Sequence, residues 1–382
     1  MTRDRKKAFV YGEVLEEGGY PPECPFDTSR ARRTLDTISS MNLLDGRDRA
    51  VVSPDAADRA ALEGFHDTEY LDALRQAGEG RLDPYEALMM GLGTPDCPVF
   101  RDMYDYLVLQ AGTSISGARL ILEGEADVVF NPSGGLHHAH ADRASGFCYV
   151  NDVVLAILEF VRAGKRCLFL DIDVHHTDGV QEAFYDRADV MTISMHESGR
   201  TLFPGTGFED EIGVQDGRGY TMNLPFPVGT YDEAYQAAFR EAALPVIEAY
   251  DADILVLELG MDALAGDPLA HLHLTNNTHA LIVKKMLEQG KPLLATGGGG
   301  YHIENTVRAW ALCWSVMCGD DAEHRDLAMG MGGVMLESTE WAGGLRDRVL
   351  LADGGRHDSI DREIAATVEK VKKTVFPIHG IE

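Results

Sequence analysis

The segment RCLFLDIDVHHTDGV, residues 166–180, decides the fold. Its first half is a continuous apolar run, which is typical of a β-strand that is buried on both faces of a parallel sheet. Its second half places carboxylates and imidazoles close together, at Asp171, Asp173, His175, His176 and Asp178. A buried strand that ends in such a group predicts a functional site at the edge of a sheet.

Similar apolar runs recur along the chain and alternate with helical patterns. Further strands are predicted at residues 127–130, 189–195, 221–226, 253–259 and 291–296. Helices are predicted from Asp152, as the N-cap, to Gly164, over 231–250 with Pro245 as a kink, and over 277–290. This alternation predicts an α/β fold with a mainly parallel central sheet flanked by helices, which we expect to form one domain over residues 1–382.

The residues that follow the predicted strands are polar, titratable or rich in glycine. These segments are 131–151, 175–179, 196–207, 260–268 and 297–302. In open α/β sheets, ligands bind outside the carboxyl ends of the strands. The segment 131–151 is also long for a connection between a strand and a helix, which favours a functional loop. We therefore expect the active site at this edge of the sheet.

A divalent metal ion is the simplest explanation for the acidic strand end. If the strand runs to residue 174, Asp171, Asp173 and His175 share one face, because side chains alternate along a strand. Buried neighbouring carboxylates need a compensating cation. Asp173 and His175, with Asp262 from another strand end, are the predicted ligands. A lone Asp or His would more often be an ordinary hydrogen-bonding residue, but this combination favours a catalytic zinc site, and iron(II) would accept the same ligands.

A histidine pair in the segment 131–151 supplies candidates for acid–base catalysis. His137 and His138 follow two glycines, which allow the backbone to approach a ligand closely. A bare pair of histidines is often only part of a polar loop. Here Asp171 and Asp178 are available to orient the two rings, and a His–Asp pair fixes the tautomer and raises the basicity of the imidazole.

The glycine-rich segment LLATGGGGY, residues 293–301, has two interpretations. It is not a phosphate-binding P-loop, because no Lys-Ser or Lys-Thr follows the glycines. It is either a tight turn alone or a backbone that packs closely and lets Tyr301 face the site. In the second case the Tyr301 hydroxyl would stabilise a developing oxyanion.

Composition narrows the class of protein. The net charge of −28 argues against binding of a nucleic-acid backbone, and it suits solubility or the attraction of a cationic ligand. No apolar run is long enough to span a membrane, and the start of the chain lacks the apolar core of a signal peptide. Six scattered cysteines indicate reduced thiols and a cytoplasmic location. No pattern indicates an oligomeric state.

Together these motifs resemble the zinc-dependent histone deacetylase family, in the branch of bacterial acetoin-utilisation proteins. The resemblance extends from about Pro21 to Trp314. It rests on the ordered segments YPPECPFDTSRARRTL, DCPVF, SGGLHHAHADRASGFCYVND, FLDIDVHHTDGV, TISMHESGRTLFPGTG, ELGMDALAGDPLAHLHLT and TGGGGYHIENTVRAW. It implies an arginase-like α/β fold and hydrolysis of N-ε-acetyl-lysine to lysine and acetate.

The resemblance also assigns roles to individual positions. The implied zinc ligands are Asp173, His175 and Asp262. The implied catalytic residues are His137, His138, Tyr301, Asp171 and Asp178, with His138 as general base and acid, Asp171 holding His137 and Asp178 holding His138. The implied substrate-binding residues are Gly146, Phe147 and Phe203 in a lysine tunnel, Leu269 at its rim and Asp96 as a carboxylate that accepts peptide N–H groups. Arg30 matches the arginine of an internal acetate channel. A potassium ion is implied near Asp171, Asp173, His175, Ser194 and Met195.

The expected substrate is therefore an acetylated protein or peptide, for example an acyl-CoA synthetase. The alternatives are an amidohydrolase that acts on small acetylated amines or on longer acyl-lysines, and a reader that binds acyl-lysine without catalysis. Leu269, where polyamine-preferring relatives have an acidic residue, makes free acetylpolyamines a weaker expectation. The complete set of ligands, histidines and Tyr301 argues against a reader.

Overall fold

The computed structural model describes residues 5–16, 19–320, 344–348 and 357–382. Within them, eight strands form one sheet. In chain order the strands are β1 Lys7–Val10, β2 Arg49–Val52, β3 Val128–Asn131, β4 Cys167–Asp171, β5 Val190–Glu197, β6 Thr221–Phe226, β7 Ile254–Glu258 and β8 Leu293–Thr296.

Helices cover both faces of this sheet. The α-helices of the described residues are α1 Ser29–Ser40, α2 Arg59–Leu62, α3 Thr68–Gly78, α4 Pro84–Met89, α5 Met103–Leu122, α6 Asp152–Arg162, α7 Asp178–Phe184, α8 Asp232–Ala238, α9 Leu244–Tyr250, α10 Asn276–Glu288, α11 Ile303–Met317 and α12 His357–Thr374. Short 3₁₀ turns lie at Glu13–Glu16, Gln215–Gly217 and Phe376–His379.

The strand order is β2-β1-β3-β8-β7-β4-β5-β6, and every pairing is parallel. The predicted parallel α/β fold is therefore confirmed. Each strand from β3 to β8 lies at a predicted position. The four-residue strands β1 and β2 were not predicted. In an all-parallel sheet every strand ends at the same edge, so the loops after β3, β4, β5, β7 and β8 converge there.

Three local predictions need correction. The strand predicted over 166–174 ends at Asp171, so Asp173 and His175 lie in the loop that follows. The N-cap of α6 is Asn151, whose side chain accepts a hydrogen bond from Val154 N, and not Asp152. Pro245 does not kink one helix: a π-helical turn, Phe239–Ala243, separates α8 from α9, because proline has no N–H to continue the α-helical ladder.

The two faces of the sheet carry separate apolar clusters. Phe130, Leu170 and Leu257 pack on one side with α11 and α12, while Val129, Phe169 and Val256 pack on the other with α5 and α6. Helix α12 docks through buried Ile360, Ile364, Val368 and Val371. All six cysteines are free and buried. In the described part of the chain no helix is long and apolar enough to cross a membrane.

Candidate active site

A row of polar residues crosses the sheet at the carboxyl ends of its strands. Strand register pairs Asn131 with Thr296, Thr296 with Glu258, Glu258 with Asp171, Asp171 with Ser194, and Ser194 with Asn223. All six are buried. Because in-register partners of parallel strands point to the same face, this row forms a continuous polar layer beneath the loops that converge at this edge.

Two of those loops, the one after β4 and the one after β7, bring Asp173, His175 and Asp262 together. Their donor atoms lie within 4.8 Å of one another, and all three residues are buried. His175 Nδ1 is 3.1 Å from Asp173 Oδ1 and 3.1 Å from Asp262 Oδ2. Such separations suit donor atoms that each lie about 2.0–2.2 Å from a shared divalent ion. Burial and the nearby Asp173 carboxylate raise the pKa of Asp262 to about 7, because both disfavour a second negative charge here that a cation would stabilise.

The chain reaches this arrangement by turning after the strand, and not by continuing it. Asp173 N donates to Asp171 Oδ1 at 2.9 Å, and His175 N donates to Asp173 Oδ1 at 2.9 Å. Val174 N donates to Asp262 Oδ1 at 3.0 Å. These bonds hold the acidic segment in two successive side-chain-to-backbone turns, which a straight strand would not form.

Glycines make room for the carboxylates. A Cβ atom at Gly299 would overlap the Asp262 carboxylate, and one at Gly260 would overlap that of Asp173. Gly299 N also donates to Asp173 Oδ2 at 2.7 Å. The segment 297–300 is therefore a backbone that packs directly against the acidic residues, which decides between the two interpretations of the glycine-rich sequence.

The histidine pair lies beside the acidic group. His137 Nδ1 is 2.7 Å from Asp171 Oδ2, His138 Nδ1 is 2.7 Å from Asp178 Oδ1, and the two Nε2 atoms are 3.0 Å apart. Burial alone would lower the pKa of His137, but Asp171 and Asp173 raise it to about 9. Burial and the adjacent His137 lower the pKa of His138 to about 4. One ring thus favours the charged form and the other the neutral form.

Glu258 is a site residue that the sequence analysis missed. Its Oε1 lies 3.0 Å from His137 Nδ1, the same nitrogen that Asp171 approaches. Neither oxygen has a hydrogen-bond partner among the described residues, and the side chain is fully buried. Burial, followed by the nearby carboxylates, raises its pKa well above the ordinary value, so the neutral acid is the favoured form.

Tyr301 is held through its backbone by a second missed residue. Asp267 Oδ2 accepts hydrogen bonds from Tyr301 N at 2.7 Å and His302 N at 3.3 Å, and its Oδ1 accepts one from Leu269 N at 2.9 Å. Burial, with Asp262 and Asp173, raises the pKa of Tyr301 well above the ordinary value. The phenol therefore stays protonated over the physiological range and can donate a hydrogen bond. Asp267 stands in the AGDP segment, whose turn-like sequence gave no sign of this role.

Aromatic rings stand on both sides of the histidines. Phe203, 43% exposed, lies over His138 with ring centroids 5.0 Å apart and over His175 at 6.3 Å. Phe147 lies 5.7 Å from the Tyr301 ring and has a positive φ of 66°, next to Gly146 with a φ of 51°. A Cβ at Gly146 would overlap His138. Leu269 is half-buried and Asp96 is exposed, as rim residues would be.

Arg30 contacts the backbone next to Tyr301. Its Nη1 donates to Gly300 O at 2.9 Å and its Nε to Asp27 O at 2.9 Å, and its guanidinium stacks on Phe26 and Trp310. The side chain is buried and lines a cavity of about 20 Å³, which is enough for about one water molecule.

Of the residues expected around a monovalent cation, Asp171, Ser194 and Met195 lie on the neighbouring strands β4 and β5, whereas Asp173 and His175 lie in the loop after β4. Ser194 is the register partner of Asp171, and its hydroxyl is 2.8 Å from His196 Nδ1. Met195 O accepts a hydrogen bond from the Tyr235 hydroxyl at 2.9 Å.

Comparisons with known proteins agree with this architecture. Residues 24–317 match the histone deacetylase domain. The chain is 39% identical over 325 residues to histone deacetylase 3 of Oryza sativa subsp. japonica. The aligned region covers 85% of this chain and 64% of that protein. It is 38% identical over 327 residues to the acetoin utilization protein AcuC of Bacillus subtilis, covering 84% of both chains. A crystal structure of an HDAC homolog complexed with SAHA superimposes with a TM-score of 0.84 at 30% identity, covering 96% of this chain and 100% of that chain. The chain therefore spans less than two thirds of the length of the rice relative and most of the length of the bacterial one.

Proposed function

This chain belongs to the histone deacetylase family, and we propose that it is a metal-dependent hydrolase that converts N-ε-acetyl-lysine in proteins to lysine and acetate. The observation that carries the proposal is the packing of Asp173, His175 and Asp262 within 4.8 Å of one another, beside the His137–His138 pair. We also propose that residues 1–382 form one catalytic domain in the cytoplasm, which the six free, buried cysteines support.

We propose zinc as the ion and Asp173, His175 and Asp262 as its ligands. Two carboxylate oxygens and one imidazole nitrogen form a set that leaves a coordination position for reactants. When bound there, zinc would polarise the amide oxygen and lower the pKa of water at the site. Iron(II) accepts the same donor set. We place the potassium ion near Asp171 and Ser194, where it would balance part of the carboxylate charge.

The protein's own groups would move the protons. His138, with a lowered pKa, is neutral at physiological pH and can accept a proton from water and later give it to the departing amine. His137, held by Asp171, stays charged and favours the negative charge that develops on the amide oxygen. Tyr301 would donate a hydrogen bond to the same oxygen, in an orientation fixed by Asp267.

The aromatic walls support lysine as the substrate side chain. Phe147 and Phe203, with Gly146, would enclose its apolar methylene stem, and each buried methylene contributes about 0.8 kcal/mol. Leu269 would form the apolar rim, and Asp96 would accept N–H bonds from the substrate backbone. Acetate would leave past Arg30, whose cavity must widen by side-chain movement to admit it.

The experiment is a fluorogenic acetyl-lysine peptide assay on zinc-loaded protein. We expect turnover that a chelator abolishes and added zinc restores, and that SAHA inhibits, since SAHA is bound by a structurally similar homolog. A parallel series with propionyl-, crotonyl- and lactyl-lysine peptides and an acetylated small amine separates the alternatives. An acetylated acyl-CoA synthetase is the protein substrate to assay.

Tyr301→Phe provides the matched variant, because it removes a single hydroxyl. We expect it to keep its metal and its affinity for SAHA within a few-fold, and to lose about 10²–10³-fold in kcat. Tight binding of acetyl-lysine peptide without turnover by the zinc-loaded wild type would instead identify a reader and refute the hydrolase.

A further inference from the structure

His140 is a buried histidine that the proposed reaction does not use. It stands two residues after His138, in the sequence HHAH, and its ring is enclosed between two carboxylates. His140 Nε2 is 3.3 Å from Asp178 Oδ2, and His140 Nδ1 makes a short hydrogen-bond contact with Glu182 Oε2. Asp178 uses its other oxygen, Oδ1, for His138. The groups therefore form a continuous chain, His138–Asp178–His140–Glu182.

Helix α7 builds the outer part of this chain. Asp178 and Glu182 are four residues apart and lie on the same face of the helix. The His140 side chain is 7% exposed, whereas that of Glu182 is 56% exposed, so the chain runs from the buried base to solvent. Both ring nitrogens face carboxylate oxygens. Only the doubly protonated imidazole can donate to both, so the geometry favours a cationic His140.

We propose that His140 is a positioning residue for His138, and that Glu182 in turn holds His140. By donating to Asp178 Oδ2, His140 fixes the carboxylate in the orientation in which Oδ1 receives the Nδ1–H of His138. It also divides the negative charge of Asp178 between two imidazoles. His138 is then oriented but not made strongly basic, as a group that must both take up and release a proton requires. This inference rests on the proposed function of His138.

Other charged groups around His140 are consistent with this role. The Arg143 guanidinium is 3.8 Å from Glu182 Oε2 and disfavours the charged imidazole, while Asp178 and Glu182 favour it. On the inner side, His66 accepts a hydrogen bond from Asn151 N, and burial lowers its pKa to about 4, so it adds no charge. The two carboxylates are thus the dominant neighbours, and the pKa of His140 lies above its ordinary value although burial opposes this.

The test compares His140→Gln and His140→Arg with wild-type protein loaded with zinc. We expect His140→Gln to lower kcat about tenfold while KM and zinc content stay unchanged. The acidic limb of its kcat/KM profile should move to higher pH by about one unit, because His138 then faces the undivided charge of Asp178. His140→Arg restores a cation although it differs more in size, and we expect it to recover most of the lost rate. Glu182→Gln should show a smaller loss of the same kind, and His357→Gln on α12 serves as the matched control.

The outcomes separate this inference from the proposed function. If wild-type protein has no amide hydrolase activity, the proposed function fails, and the Nδ1–H proton resonance of His138 still tests the inference: it should shift in His140→Gln and return in His140→Arg. If wild-type protein is active and His140→Gln keeps kcat within twofold with an unmoved acidic limb, the positioning role is wrong. Equal losses in the Gln and Arg variants would also overturn it, because they would point to packing alone.

Discussion

Two neighbouring groups in this protein have the same composition and different chemistry. Asp173, His175 and Asp262 form one group, and Asp171, His137 and Glu258 form the other; each has one imidazole and two carboxylates, buried and within 4.8 Å. In the first, both carboxylates stand 3.1 Å from the imidazole nitrogen. In the second, Asp171 Oδ2 and Glu258 Oε1 lie 2.7 Å and 3.0 Å from His137 Nδ1, and only Asp171 makes a hydrogen bond to it within the described residues.

The difference shows that donor type alone does not identify a metal site. The first group lies in loops, where glycines at 260 and 299 let the carboxylates approach each other. The second sits on adjacent strands at fixed register, where Asp171 and Glu258 are direct partners and the imidazole caps them. We propose that the first group is arranged to hold an ion and the second to hold a histidine.

The largest effect is expected from breaking the first group. Asp262→Ala removes one of the three proposed ligands, so we expect loss of stoichiometric metal and a fall in turnover of at least ~10³-fold, or about 4 kcal/mol. Metal analysis of the purified protein and the peptide assay measure this. Asp253→Ala, just before the start of β7, is the control. Full metal content in Asp262→Ala would show that the ion binds elsewhere.

The glycines that pack against the carboxylates offer a more indirect test. In Gly299→Ala the added Cβ would displace the Asp262 carboxylate, and we expect metal affinity to fall about 100-fold with a parallel loss of activity. Gly290→Ala is the control for an added methyl group without overlap, because open space surrounds that position; its φ of 72° adds a backbone strain that position 299 does not have. A competition titration with a chelator measures affinity. Unchanged metal affinity would mean that the loop moves to accommodate the methyl group without displacing the Asp262 carboxylate.

Breaking the second group should spare the metal. Asp171→Asn weakens the hold on His137 Nδ1, and we expect kcat to fall about 10- to 100-fold with metal content and KM unchanged. Steady-state kinetics on zinc-loaded protein provides the measurement. Loss of metal in this variant would place Asp171 among the ligands and remove the distinction between the two groups.

The smallest effect on activity is expected from Glu258→Gln, with a change in the pH dependence of stability. The raised pKa of Glu258 gives a stability contribution that is fully present below the unfolded pKa and is lost as pH rises toward the folded pKa. Between pH 5.5 and 7.5 the wild type should therefore lose about 1–3 kcal/mol that the glutamine variant keeps. Urea unfolding at both pH values checks this. If the free energy of unfolding changed equally with pH in the wild type and the variant, Glu258 would be ionised and paired in the folded protein.

The comparison also shows what a sequence can predict here. Strands β3 to β8 have long apolar runs, and the confirmed parallel α/β architecture follows from their alternation with helices. Strands β1 and β2 are only four residues long, KAFV and RAVV, and β2 is a partly exposed edge strand, so no local pattern marks them. The residues Asp173, His175 and Asp262 were expected to meet because strand ends converge.

Glu258 and Asp267 could not have been found in this way. Glu258 lies inside LVLEL, which looks like an ordinary strand, and only the register that pairs it with Asp171 places it at His137. Asp267 acts through backbone bonds across 34 positions of sequence. Both roles depend on long-range pairing, which local propensity does not contain, and the early end of β4 likewise depends on tertiary hydrogen bonds from Val174 and Gly299.

The six buried thiols allow local unfolding of the protein to be measured by cysteine alkylation. Burial raises the pKa of each of them, and only a thiolate that solvent can reach is alkylated rapidly. A maleimide pulse followed by mass spectrometry would therefore label a cysteine only when its surroundings unfold. Labelling of Cys148, next to Phe147, would report unfolding at the carboxyl edge of the sheet. Labelling of Cys313, inside α11, would separately report unfolding of that helix.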